Sequence, residues 1–218
     1  QTIHSGPVAG LEATNFLSKQ FAEPNVIATD MGGTSFDIGL VTADGVKFYD
    51  FNPVIDRWLV STPMTYLHTL GAGGGSIARY DRLWEAVEVG PESAGSDPGP
   101  ACYGRGGKLP TTTDANLVLG YLDPDNYAGG TIKVNRRRAE RAIEEHIGKP
   151  TGLSLIDAAK AIKRKVDANM ARAIFKEVAV KGYNPKNFVI LSYGGGGPIH
   201  ACGYASRIGI SRILIPPF

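Results

Sequence analysis

The sequence has few cysteines and no long apolar run. Cys102 and Cys202 are the only cysteines in 218 residues, and they form no CxxC pair, so the spacing does not predict a zinc ribbon. No apolar stretch approaches the roughly 20 residues that a membrane-spanning helix needs. The N-terminus also lacks the basic and then apolar pattern of a signal peptide. These absences predict a reduced, cytoplasmic protein.

The sequence also lacks an excess of charge of either sign. Lys and Arg number 23 against 21 Asp and Glu, a formal net charge of +2, which gives no electrostatic basis for binding nucleic acid or a membrane. The one basic run, 136–138, is interspersed with glutamates, as in a solvated helix face. Hydrophobic residues at 43% and charged residues at 20% are typical of a globular protein.

Glycine is the abundant residue, at 28 positions. Its clusters fit neither of two common nucleotide motifs. The segment 71–76 departs from GxGxxG because position 76 is Ser, and the segment 194–199 departs from it because position 199 is Ile. No GxxxxGK[ST] is present, so neither a Rossmann site nor a P-loop is predicted.

The segment 25–41 has the pattern of a β-hairpin with a glycine turn. An apolar run at 26–28 is followed by a turn at 30–35 and a second apolar run at 36–41. Adjacent glycines allow positive φ and let backbone amides approach an anion. A phosphate site would use Gly32, Gly33, Thr34 and Ser35 as donors, with Asp30 and Asp37 near Mg²⁺ or an attacking water. An ordinary hairpin with turn-capping aspartates is the alternative, and the segment alone leaves both open.

The remaining pattern predicts an α/β fold with a mixed sheet, since strands and helices alternate in the second half and the first half is hairpin-like. We predict helices at 5–20, 115–122 with a Thr113–Asp114 cap, 135–147 with an Asn135 cap, 154–181 and 199–206. Further strands are predicted at 45–51, 188–191 and 213–215, and one more strand is predicted to end at 65–68. The residues 89–110 are predicted to form an ordered surface loop.

The turn at 194–197 precedes a predicted helix. Its amides could therefore contact a phosphate or a ribose edge. Close packing of the helix against the strand explains the same glycines, and both interpretations stay open.

Five blocks of sequence resemble the hydantoinase A / 5-oxoprolinase / ketone carboxylase family. They follow the family's order between residues 28 and 201: ATDMGGTSFDIGLV, HTLGAGGGSIARYD, VGPESAGSDPGPACYGRGG, TDANLVLGYL and YGGGGPIHA. The resemblance implies an RNase H-like domain of the actin/Hsp70/sugar kinase type. Within a single hydantoinase A-type domain, 1–52 and 154–218 would form the core and 71–150 a loop-rich insertion. The resemblance implies two RNase H-like domains in the family, each beginning with a glycine hairpin. Only one such hairpin is present here, and it follows the SGP segment at 5–7. We therefore expect this chain to be the second of the two domains, as a piece of a longer polypeptide.

The resemblance also implies roles for individual residues. Asp30 would be catalytic, orienting phosphate or holding Mg²⁺ through water, and His68 is a second catalytic candidate as an acid, a base or a metal ligand. The expected nucleotide-binding residues are Gly32, Gly33, Thr34, Ser35 and Asp37 at the hairpin, and Gly194, Gly195, Gly196 and Gly197 on the adenosine side. Cys102 and His200 are expected to be packing residues.

The function implied is ATP-dependent activation of a carbonyl or enolate oxygen by phosphoryl transfer, in a ketone carboxylase similar to acetone and acetophenone carboxylases. The cofactors would be ATP with Mg or Mn; zinc is considered too, without support from spacing. Substrates would be a ketone with bicarbonate, and the partner a hydantoinase B-type subunit. Cleavage of a cyclic amide by a hydantoinase or 5-oxoprolinase is the first alternative. A non-catalytic actin-like scaffold is the second.

Overall fold

The computed structural model describes residues 5–49, 52, 54–59 and 64–217. In these residues the α-helices are α1 (Ser5–Gln20), α2 (Thr112–Val118), α3 (Arg136–Ile143), α4 (Lys149–Thr151), α5 (Leu155–Val180) and α6 (Gly197–Ile208). The strands are β1 (Val26–Met31), β2 (Phe36–Thr42), β3 (Gly45–Val46), β4 (Val54–Ile55), β5 (Trp58–Leu59), β6 (His68–Leu70), β7 (Ser76–Asp81), β8 (Ala86–Ser93), β9 (Val189–Tyr193) and β10 (Ile213–Leu214).

The main sheet has the order β10-β9-β1-β2-β3, with β6 also paired to β2. β9 lies parallel to both β1 and β10, whereas β2 and β3 are antiparallel. The register places Asp30 of β1 opposite Tyr193 of β9. The predicted class, α/β with a mixed sheet flanked by helices, is therefore confirmed.

The chain forms two compact units. The first contains Gln1–Asp30, Asp37–Thr69 and Ala173–Phe218, and the second contains Met31–Phe36 and Leu70–Arg172. The predicted division into a core and an insertion stays a prediction.

In the first unit, α1 packs on one face of the main sheet. Its Leu11 forms a buried cluster with Val26, Ala28, Val41 and Leu191, and Leu67 and Tyr193 pack against this cluster. A Cβ on Gly39 would lie 2.7 Å from a methyl group of Leu11, so glycine there lets helix and sheet approach closely. The Tyr204 hydroxyl of α6 hydrogen-bonds to Thr29 on the other face of the sheet. Side chains alternate along a strand, so β1 separates an α1 face from an α6 face.

In the second unit, β7 and β8 form an antiparallel pair. A short 3₁₀ helix, Ala101–Tyr103, precedes α2. Helix α3 continues into a π-helical segment, Glu144–Gly148. One buried carboxylate, Asp114, joins the 3₁₀ helix to the start of α2, because it accepts hydrogen bonds from the amides of Ala101, Cys102 and Thr111.

Most predicted elements are present, and the long helix agrees best. Predicted at 154–181, α5 spans Leu155–Val180. Ser154 and Asp157 hydrogen-bond at its start, as capping-box spacing predicts. Six apolar side chains at helical spacing along α5 are fully buried: Ala158, Ile162, Val166, Met170, Ile174 and Val178.

Several predicted boundaries were wrong. The strand predicted to end at 65–68 instead begins at His68, since β6 spans His68–Leu70. The strand predicted at 45–51 ends at Val46, and Asp50 and Phe51 lie outside the described residues. The loop predicted to begin at Val89 begins after Ser93, because β8 continues that far in its pairing with β7. The cap of α2 is Thr111, with Asp114 completing a capping box, so the predicted Thr113–Asp114 cap was displaced by two residues.

Candidate functional site

The turn of the hairpin, residues 32–34, is exposed. The Gly32 amide donates to the Ser35 carbonyl at 3.0 Å. Within the described part of the chain, no hydrogen bond is donated by the amides of Gly33 and Thr34. Neither Gly32 nor Gly33 uses the positive φ that glycine allows. A Cβ on either glycine would meet nothing within 4 Å, so the turn presents an open face without side chains.

A second glycine segment supports this turn from behind. The amides of Gly74 and Gly75 donate to the carbonyls of Gly32 and Gly33 at 3.1 and 2.7 Å. A Cβ on Gly73 would lie 2.6 Å from the Gly33 carbonyl carbon and the Thr34 nitrogen. The close approach of the two backbones therefore requires glycine at 73.

Helix α2 holds the supporting segment. The amide and the hydroxyl of Thr113 both donate to the Gly74 carbonyl, each at 2.8 Å. The Gly73 amide donates to the Ser76 hydroxyl, also at 2.8 Å. Thr113 directly precedes Asp114, whose carboxylate is fully buried. The Thr111–Asp114 capping network thus fixes the start of α2, and Thr113 in that first turn holds the glycine segment in place.

The first unit, by itself, contains a line of polar residues across four neighbouring strands. This polar row consists of Tyr193, Asp30, Asp37 and Thr69, on β9, β1, β2 and β6. The Thr69 hydroxyl donates to the Asp37 carboxylate at 2.5 Å. Partial burial and the charge of Asp37 raise the pKa of Asp30. A carboxylate in this electrostatic environment favours a cation or a proton.

The glycine turn after Tyr193 leads into α6. Gly194 has φ +78°, in the left-handed region that favours glycine. Gly194 and Gly195 are exposed, and Gly196 is the N-cap of α6. Within the first unit, helix N-terminal amides therefore begin where β9 ends, beside the strand that carries Asp30.

His68 lies on the other face of the sheet from the polar row. Leu67 packs against the α1 cluster and Thr69 contacts Asp37, whereas His68 faces Glu177 of α5. This follows from the alternation of side chains along a strand. The structure therefore places Asp30 near Asp37 on one face of the sheet, whereas His68 lies on the opposite face.

The structure contains no metal centre among its described residues, where no group of three His, Cys, Asp or Glu side chains could hold a metal ion. Cys102 and His200 are both fully buried. Burial raises the pKa of the Cys102 thiol, as expected for an inert packing residue. No helix in the described residues is long and apolar enough to cross a membrane.

Sequence reasoning missed three features of the site. It assigned no role to the supporting glycines 73–75 or to Tyr193, and it placed Asp114 in a helix cap without predicting the buried hydrogen-bond network around its carboxylate. The Thr111–Asp114 spacing was a usable signal for the capping box. The contact between the two glycine segments had no local signal, because it joins residues about 40 positions apart.

Comparison with known proteins places the chain in a family. Residues 1–218 match the family model described as Hydantoinase/oxoprolinase. The chain belongs to this family, and the resemblance inferred from its sequence blocks is confirmed.

Three relatives illustrate the similarity. The chain is 49% identical to the acetophenone carboxylase gamma subunit of Aromatoleum aromaticum over 208 residues, covering 95% of this chain and 28% of the relative. The structure of nucleotide-free acetone carboxylase matches with a TM-score of 0.87 and 37% identity, over 97% of this chain and 30% of that one. The ATP-dependent caprolactamase of Pseudomonas jessenii matches with a TM-score of 0.88 and 41% identity, over 98% and 30%. The chain thus spans less than a third of each relative.

Proposed function

We propose that this chain is the nucleotide-binding part of an ATP-dependent enzyme that activates a carbonyl compound. The observation that carries this proposal is the exposed hairpin turn, in which the amides of Gly33 and Thr34 donate no hydrogen bond within the described residues and a second glycine segment fixes the backbone. Amides held in a fixed arrangement bind phosphate without reorganisation. The residues present therefore fit a phosphate group.

Asp30 supports the proposal through its charge and its position. Asp30 directly follows the buried residues 26–29 of β1 and precedes Gly32, the first glycine of the turn, by two positions. Partial burial and the charge of Asp37 raise the pKa of Asp30, and a cation such as Mg²⁺ or Mn²⁺ would stabilise its charged form against both effects. We propose that Asp30 holds such an ion through water, with Asp37 fixed by Thr69. Oxygen ligands and retained waters are typical of Mg²⁺.

We also propose that the glycines at 194–197 bind the adenosine side of the nucleotide. Their exposed turn offers backbone without side chains next to a helix N-terminus. Bound ATP would supply a phosphoryl group that converts a carbonyl or enolate oxygen into a leaving group. The protein's share is then positioning and neutralisation of charge.

Among carbonyl substrates, we propose a ketone carboxylated with bicarbonate. The 49% identity to an acetophenone carboxylase subunit and the fold shared with acetone carboxylase support this choice. Cleavage of a cyclic amide is the second candidate, favoured by the equally good structural match to an ATP-dependent caprolactamase. Because the acetophenone carboxylase relative is a subunit, we also propose that this protein works with a partner subunit of the hydantoinase B type.

The test is phosphate release by the complete protein in its assembly. The assay uses MgATP with acetone, acetophenone, hydantoin, 5-oxoproline or caprolactam, each with and without bicarbonate. The proposal predicts turnover that requires both a ketone and bicarbonate, and its loss by several orders of magnitude in Asp30→Ala. Turnover with a cyclic amide alone would assign the second candidate. No turnover with any substrate, with nucleotide still bound, would indicate a non-catalytic scaffold.

A further inference from the structure

The second unit contains a cavity of about 320 Å³ beside strand β7, which we call the β7 cavity. Its volume is at the lower end of the range for small-molecule sites, about 300–1,000 Å³. Three side chains that carry or can accept positive charge line it: Arg79, Arg82 and His146. None of its lining residues belongs to the glycine turns or to the polar row, so the proposed function assigns the cavity no role.

Backbone contacts fix the β7 cavity on two sides. On one side, the Ala78 amide of β7 donates to the Pro110 carbonyl at 2.8 Å. On the other side, Ile147 is fully buried, and its carbonyl accepts a hydrogen bond from the Thr151 hydroxyl at 2.6 Å. His146 lies in the same π-helical segment as Ile147. Such segments are rare and frequently lie at functional sites.

Two nitrogen-bearing side chains of the β7 cavity are available for a ligand. The Arg79 guanidinium is already paired, since it lies 3.3 Å from the Glu92 carboxylate and also donates to the Gly90 carbonyl. Within the described residues, the side chains of Arg82 and His146 make no hydrogen bond or ion pair. A guanidinium is always charged, and its planar set of N–H groups matches the two oxygens of a carboxylate.

The edge of β7 that faces away from β8 adds a backbone donor. Successive residues of a paired strand direct their amides to opposite edges, and the Ala78 amide points away from β8, toward Pro110. The register with β8 is regular from Ala78 to Asp81, so the Tyr80 amide points to the same edge as the Ala78 amide. Tyr80 itself lines the cavity.

The remaining lining residues restrict the class of ligand. Ile77, Leu109 and Pro150 supply an apolar surface, which a ligand with a hydrocarbon body would cover. Glu92 and Glu145 also line the cavity, and their charges repel a doubly charged phosphate more strongly than a singly charged carboxylate. The lining therefore favours a monocarboxylate with a short apolar body.

We propose that the β7 cavity binds a small monocarboxylate. The Arg82 guanidinium, the His146 imidazole and the Tyr80 amide donate hydrogen bonds to its two oxygens. Its apolar body packs against Leu109 and Pro150. The inference does not depend on nucleotide binding, so it is tested separately from the proposed function.

The test is titration calorimetry of the full-length protein with butyrate and with benzoate. The wild type should bind at least one of them saturably, in the millimolar range or tighter. Arg82→Gln should raise the Kd about tenfold or more, because it removes charge-assisted hydrogen bonds, and His146→Gln should raise it about threefold or more. Arg137→Gln is the matched control, since Arg137 is an exposed arginine of the same unit outside the cavity lining, and its Kd should stay within about twofold of the wild type.

A second readout locates the ligand at the cavity. Nitrogen NMR of histidine-labelled protein should show the His146 signal, assigned by its loss in His146→Gln, shifting as butyrate is added. The same additions should leave it unshifted in Arg82→Gln. Failure of both carboxylates to bind the wild type would overturn the inference.

Three further outcomes would also overturn it. They are inorganic phosphate binding as tightly as the carboxylates, butyramide binding as tightly as butyrate, and equal affinities in Arg82→Gln and Arg137→Gln. Phosphate release from ATP that depends on Asp30 would still support the proposed function in each of these cases.

Discussion

Asp30 and the glycines of the hairpin turn differ in how they depend on their neighbours. Partial burial and a nearby second carboxylate, Asp37, both disfavour the charged form of Asp30 and raise its pKa. Gly32 and Gly33 face open space, whereas Gly73 is packed against backbone. The electrostatics of Asp30 and the packing around the two glycine segments therefore lead to separate predictions for protein stability.

The raised pKa of Asp30 predicts a stability gain on neutralisation. The folded chain holds the Asp30 proton more tightly than the unfolded chain, so stability falls as pH rises from the ordinary value of 3.8 through the folded pKa. Asp30→Asn should therefore raise the thermal midpoint at pH 7, and the gain should vanish as pH falls toward 3.8. Thermal scans across this pH range test it. A lower midpoint at pH 7 would contradict it.

The two glycine segments predict opposite outcomes for the same substitution. Gly33→Ala adds a methyl group to open space and should change the free energy of unfolding by less than about 0.5 kcal/mol. Gly73→Ala puts its methyl group against the turn and should cost about 1–3 kcal/mol, as overpacking does. Denaturant titration of both variants is the measurement. Equal losses would refute the assignment of Gly73 as the packed position.

Among the elements, α2 depends on a single carboxylate. Asp114 is fully buried and accepts hydrogen bonds from three amides and from the Thr111 hydroxyl. Asp114→Ala leaves these buried donors without a partner, so we expect a loss of about 3 kcal/mol or more. Asp157→Asn changes an exposed capping carboxylate and serves as control, with an expected loss within about 1 kcal/mol. Similar losses in chemical denaturation would argue against the network.

Elements with a strong local pattern could be predicted from the sequence. Helix α5 has a long apolar stripe and a capping box, and the β1–β2 hairpin has two apolar runs around a glycine turn. The end of β8 could not be predicted, because its pairing with β7 overrides the Gly and Pro residues that suggested a loop. Asp30 and Gly33 were identified from residue type. The support of the turn by Gly73 and the contact of Glu177 with His68 are long-range and left no local signal.

At the scale of the whole molecule, the chain covers less than a third of its relatives. Substrate and partner therefore have to be tested on the full-length protein. The described residues contain the groups that the proposed function uses: an open glycine turn in the second unit, and in the first unit the Asp30 carboxylate and a second glycine turn at a helix N-terminus.

The most direct test of this account is the affinity of the full-length protein for MgATP in Gly33→Ala. The added methyl group occupies the open face where a phosphate would approach, so the Kd for ATP should rise about tenfold or more while the thermal midpoint stays unchanged. Gly6→Ala is the control, since a Cβ there also meets nothing within 4 Å. Titration calorimetry would contradict the account if both variants bound ATP as tightly as the wild type.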